Sequence, residues 1–94
     1  MDYKKDFPIL NTGIIYFDNA ATTLKPQSVI DEVNSYYTNY SANAHRGDYK
    51  ISQIVDDKLN LARQKVKEFI NADEKEEIVF TSGATESLNV IIKG

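Results

Sequence analysis

"TSGATESLN", residues 81–89, gathers small and hydroxyl-bearing side chains around one glycine, Gly83, between the runs "EIVF" (77–80) and "VIIKG" (90–94). The short apolar run before Gly83 predicts a strand over 77–81. The spacing of Ala84, Leu88, Ile91 and Ile92 predicts a helix after it. A strand that turns into a helix through small residues points several backbone N–H groups at one place. The first N–H groups of a helix have no internal partner, and the helix dipole adds positive charge there. Such a turn suits an anion, most often a phosphate. Gly83 lets backbone approach a ligand closely, and Thr81, Ser82 or Thr85 can add a hydroxyl donor. A plainer reading stays open: Ser and Thr before a helix are commonly N-caps, and Glu86, three residues after Gly83, fits half of a capping box. The stretch lacks the Gly-Lys-Ser/Thr ending of a P-loop and the three glycines of a dinucleotide fingerprint.

Upstream, the pattern predicts two further helices. Val29, Ile30, Val33, Tyr36, Tyr37 and Tyr40 recur at helical spacing behind Pro26, which suits a first helical turn, so a helix is expected at 26–40. Ser52, Val55, Leu59, Ala62, Val66 and Phe69 form one face of a helix expected at 51–70, with Asp56, Asp57, Lys58, Arg63, Lys67 and Glu68 on its wet side. Residues 1–15 read as an irregular arm with a turn at Asn11–Gly13, and "IIYF" (14–17) as a short β-prone run. "NAATTLKP" reads as a loop, as does "SANAHRGD" (41–48) with Gly47 as breaker, and "NADEKE" (71–76) as an exit turn. The expected organisation is one partial domain over 1–94: an arm and loop over 1–25, then helix, loop, helix, strand and helix start over 26–94.

Composition narrows the function. Ninety-four residues suffice for one small domain, and the net charge of −3 argues against a nucleic-acid partner, which needs a clustered basic face. No apolar run reaches the ~18–20 residues of a membrane span, and "MDYKKDFPIL" lacks the apolar core of a signal peptide. There is no cysteine, hence no disulfide, thiolate ligand or cysteine nucleophile. These features favour a cytoplasmic setting. His45, the single histidine, lies beside Arg46 in a polar loop. Alone it builds no metal site, but it can serve as an acid or base, and Arg46 can grip a carboxylate or phosphate. A solvated loop without a role fits equally. Asn19, Ala20 and Ala21 either let a ligand approach or form a plain turn. Tyr36, Tyr37 and Tyr40 read as a packed helix face.

Taken together and in order, "YFDNAATTLKPQSVIDEVNSYY", "NAHRGDYKIS", "ARQKVKEFINA" and "EIVFTSGATESLNVI" resemble the N-terminal part of class V aminotransferase-fold enzymes that use pyridoxal 5′-phosphate. The resemblance is to the cysteine desulfurases of iron–sulfur cluster assembly, in the selenocysteine lyase-like subgroup. It implies an α/β chain, the N-terminal piece of a fold type I transferase domain, mostly helical here with one or two short strands. It implies that Ala84 (N–H) and Thr85 (N–H and hydroxyl) bind the cofactor phosphate, with Gly83 and Asn89 in support. Asn19 and Ala21 carry over as substrate-pocket candidates, and His45 and Arg46 as pocket-rim candidates. Tyr49 stands where the subgroup often has a second histidine, so no role carries over to it.

The resemblance also implies an L-cysteine or related amino-acid substrate, a homodimer and a sulfur-acceptor protein, without nucleic acid, membrane or metal. The family's Schiff-base lysine, pyridine-pairing aspartate, ring-stacking residue and cysteine nucleophile lie beyond the matched stretch. The chain is therefore expected to be a fragment of a longer enzyme, with no catalytic residue of its own and no activity alone. The alternatives are another class V enzyme (a selenocysteine lyase, a kynureninase-like hydrolase or an epimerase) or a small helical interaction module without catalysis.

Overall fold

The computed structural model describes residues 2–45, 49–74 and 77–94. Three α-helices form where the 3.6-residue period is strongest: α1 (Gln27–Asn39), α2 (Lys50–Ile70) and α3 (Ala84–Lys93). The bounds agree with the apolar pattern to within a residue or two. The chain divides into two compact units, Met1–Ala42 and Asn43–Gly94.

In the first unit the arm is more ordered than its composition suggests. Tyr3–Asp6 and Pro8–Thr12 are 3-10 helices. Asp2 caps the first, its carboxylate accepting from the Lys4 N–H at 3.1 Å. Gly13 ends the second at φ 81°, a left-handed conformation that only glycine adopts without strain. Turns this short have i→i+3 bonds and no repeating apolar face, so the sequence carries no period for them. Pro26 stands one position outside α1, at φ −68° and ψ 157°, and its carbonyl accepts from Val29 and Ile30. Along α1 the tyrosines divide. Tyr36 and Tyr40 meet edge-to-face at 5.7 Å, and Tyr40 is buried with its hydroxyl donating to the Glu32 carboxylate. Tyr36 donates to the Ala42 carbonyl at 3.2 Å, whereas Tyr37 is left 71% exposed.

The second unit is built along α2. Ser52 is fully buried, with its hydroxyl donating back to the Tyr49 carbonyl at 2.8 Å. The helix ends where Asn71 turns left-handed at φ 56°. The Ala72 N–H reaches the Lys67 carbonyl and the Asn71 N–H that of Glu68, a Schellman closure with asparagine where glycine is usual. The side expected to be wet is partly covered. The Arg63 guanidinium lies 5.7 Å from the Phe80 ring centroid, a cation–π contact worth about 0.5–1 kcal/mol at an exposed site. On the expected core face Val55, Leu59 and Val66 are only half-buried and Phe69 is 90% exposed.

No strand occurs among the described residues, so the runs at 14–17 and 77–81 carry no ladder. A strand exists only by pairing with another, and neither run finds one here. Arg46, Gly47 and Asp48, and with them the expected breaker of the 41–48 loop, lie outside the described residues, as do Lys75 and Glu76 of the exit turn.

Candidate functional site

The turn into α3 is organised around the Gly83 carbonyl. The hydroxyls of Thr81 and Ser87 are 2.7 Å apart, and both reach that oxygen, at 3.1 and 3.2 Å. The Glu86 carboxylate reaches back to Ser82, accepting from its N–H and its hydroxyl, each at 2.6 Å. These two bonds, the side-chain one foremost, hold the Glu86 carboxyl below its ordinary range. The carboxylate thus braces the residue before the cap instead of closing a capping box on Gly83.

Every nearby hydroxyl is turned away from the helix's own donors. α3 starts at Gly83 with no side-chain cap bond, and the first backbone bond into the helix is Ser87 N–H to the Gly83 carbonyl. Among the described residues the N–H groups of Ala84 and Thr85 and the Thr85 hydroxyl have no partner. The Ser/Thr N-cap, the plainer alternative for this turn, is not what forms. Gly83 has φ 164°, an extended backbone open to any residue, and a Cβ added there would meet nothing within 4 Å. Neither strain nor packing within the chain asks for glycine at that position. Asn89 sits one turn along α3 and donates to the Thr85 carbonyl at 2.8 Å, so Ala84, Thr85 and Asn89 are brought together.

The other candidates fall in separate places. Asn19 and Ala21 belong to a turn on the Asp18 carbonyl, which accepts from Ala21 N–H (3.1 Å), Thr22 N–H (3.2 Å) and the Tyr16 hydroxyl (3.1 Å). Asn19, with Phe7, Leu10, Tyr16, Thr23 and Leu24, lines a cleft of about 370 Å³ in the first unit. Ala21 is exposed and outside that cleft. His45 sits at φ 61° against Asp56 of α2. Arg46 lies outside the described residues. The sequence pattern places Asp56 only on a wet helix face, and its pairing with a residue eleven positions away leaves no periodic signal. Among the described residues no cluster of His, Cys, Asp or Glu suits a metal ion, and no helix is long and apolar enough to cross a membrane.

The sequence matches the family model described as Aminotransferase class-V over residues 15–94. A protein of Borreliella burgdorferi named "Probable cysteine desulfurase" is 48% identical over 94% of this chain, which spans 22% of that protein. One of the same name from Ureaplasma parvum is 50% identical over 99% of the chain and 23% of its own length. Among solved structures, the apo cysteine desulfurase of Thermococcus onnurineus NA1 matches with a TM-score of 0.88 and 45% identity, covering 99% of this chain and 23% of that one. The chain thus spans under a quarter of the length of the relatives it matches. At these identities, with the family model covering all but the first residues, the chain belongs to the class-V aminotransferase family.

Proposed function

We propose that this chain is the N-terminal portion of a pyridoxal 5′-phosphate-dependent cysteine desulfurase, converting L-cysteine and an enzyme thiol into L-alanine and an enzyme persulfide. The observation that carries the reading is the uncapped start of α3: Ala84 and Thr85 keep their N–H groups, and Thr85 its hydroxyl, free of partners. That donor set fits a phosphate, and the open space before Gly83 leaves it room. The N–H groups of Ala84 and Thr85 and the Thr85 hydroxyl hold the phosphate, and the helix dipole adds about 0.3–1 kcal/mol. The bound cofactor supplies an electron sink for bond breaking at the amino acid.

The remaining residues act around that grip. Thr81 and Ser87 hold the Gly83 carbonyl, and Glu86 fixes Ser82, so the turn is shaped before anything binds. Asn89 braces the Thr85 peptide. By the family resemblance, Asn19 and Ala21 are substrate-side residues and His45 is a further candidate, while Arg46, the other candidate, lies outside the described residues. The runs at 14–17 and 77–81 become strands of a sheet completed by the rest of the protein, within one domain. That remainder covers Phe17, Phe69, Ile91 and Ile92, each more than three-quarters exposed here. The enzyme is a cytoplasmic homodimer that hands its sulfur to an acceptor protein for iron–sulfur cluster assembly.

The test is alanine formation from L-cysteine by the complete protein with cofactor. One alanine per sulfur released is expected, and its absence overturns the reading. The 94-residue chain alone, given the same cofactor and substrate, is expected to form none, because it has no cysteine to carry the sulfur.

A further inference from the structure

His45 meets one oxygen of Asp56 at two places. Its backbone N–H donates to Asp56 Oδ1 at 2.8 Å, and its ring Nδ1 lies 3.2 Å from the same atom. The backbone grip explains how a non-glycine residue stays at φ 61°, which side chains rarely adopt. The side chain of Asp56 is 28% exposed and that of His45 61%, so the carboxylate is the sheltered member and the ring faces outward.

We propose that Asp56 is a positioning residue for His45, fixing its tautomer so that Nε2 is the atom offered as proton acceptor. A bare nitrogen lone pair 3.2 Å from the carboxylate oxygen would be repelled, so the ring nitrogen facing it carries the hydrogen. In the neutral imidazole the second nitrogen, Nε2, then holds the lone pair. The free ring in water favours the opposite tautomer, so the arrangement on α2 reverses an intrinsic preference. An outward Nε2 of this kind takes a proton from the thiol or ammonium group of an amino-acid substrate. That role rests on the proposed function, which makes His45 a substrate-side candidate. The tautomer itself does not, and so it is tested separately.

Histidine ¹⁵N-labelling of the complete protein reads the tautomer, with His45→Gln identifying which pair of imidazole nitrogen signals belongs to His45. At mildly alkaline pH the Nδ1–H form is expected to predominate several-fold. Asp56→Ala is expected to restore the mixture of free histidine, with Nε2–H in the majority. Asp56→Asn keeps an acceptor oxygen at that position and is expected to retain the Nδ1–H majority. A wild-type chain showing the free-histidine mixture overturns the proposal, as does an alanine variant with the wild-type tautomer. Failure here leaves the phosphate reading at Thr85 untouched, and loss of phosphate binding at Thr85 leaves the tautomer untouched.

Discussion

Two turns in this chain have nearly the same composition and opposite economies of hydrogen bonding. "DNAATT" (18–23) spends its donors on itself: Ala21 and Thr22 N–H and the Tyr16 hydroxyl converge on the Asp18 carbonyl, and Tyr16 also reaches the Thr22 carbonyl at 2.5 Å. "TSGATES" (81–87) does the reverse, turning the Thr81 and Ser87 hydroxyls onto Gly83 and Ser82 onto Glu86. The donors of Ala84 and Thr85 are left over. Small and hydroxyl residues do not by themselves make an anion site. What matters is whether the side chains cap the backbone N–H groups or are drawn elsewhere.

Substitutions can break or sharpen that contrast. The largest effect is expected from Thr85→Val, which removes a donor to a charged acceptor. It should weaken binding of the cofactor phosphate to the complete enzyme by about 1–3 kcal/mol in a calorimetric titration. Thr22→Val in the closed turn should leave that affinity as it is. Unchanged binding on Thr85→Val would return the α3 turn to a purely structural role. Next comes Tyr16→Phe, which strips the hydroxyl from the Asp18 turn. A loss of about 0.5–1.5 kcal/mol in thermal unfolding is expected, at the low end because the bonds are exposed, with phosphate binding intact.

Gly83→Ala separates fold from ligand. Stability should stay within about 0.5 kcal/mol, because the added methyl meets nothing in the chain. A fall in phosphate affinity without a fall in melting temperature would locate the pressure for glycine in the bound group. The smallest effect is a pH dependence. The folded state holds the Glu86 carboxyl below its ordinary range, so its contribution is complete above that range and is lost as pH falls through the lowered value. Acidification should loosen the start of α3 first, seen as faster amide exchange at Ser82, whose N–H the carboxylate holds. Glu86→Gln should flatten that response.

The helices were legible because each keeps an apolar stripe over several turns, and Asn71 marked the end of α2 as clearly as a glycine. Pro26 was misplaced by one position, since a proline suits both the cap and the first turn. The 3-10 turns of the arm escaped because they repeat nothing. The runs at 14–17 and 77–81 have strand composition, but composition supplies no partner. At the candidate site, the turn into α3 was legible from Gly83 and its neighbours, while the choice between cap and open donor was not. It depends on where Thr81, Ser82 and Ser87 point, which is decided by the Gly83 carbonyl and Glu86. The grip of Asp56 on His45 was invisible because it joins a helix to a left-handed loop residue.

The uncovered apolar surface acquires a meaning in time. Phe69, Ile91 and Ile92 belong to helices whose stability comes mostly from packing an apolar face, yet they have nothing to rest on here. If the complete enzyme matches the relatives of which this chain is 23%, roughly 300 residues emerge from the ribosome afterwards, which takes about 15–60 s at ~5–20 residues per second. Throughout that interval the apolar faces of these segments have no partner, the kind of surface that chaperones bind and that other unfinished chains stick to. The charged side of α2, with Asp57, Lys58 and Glu68 beside its half-covered core face, is the part of that surface that opposes such association.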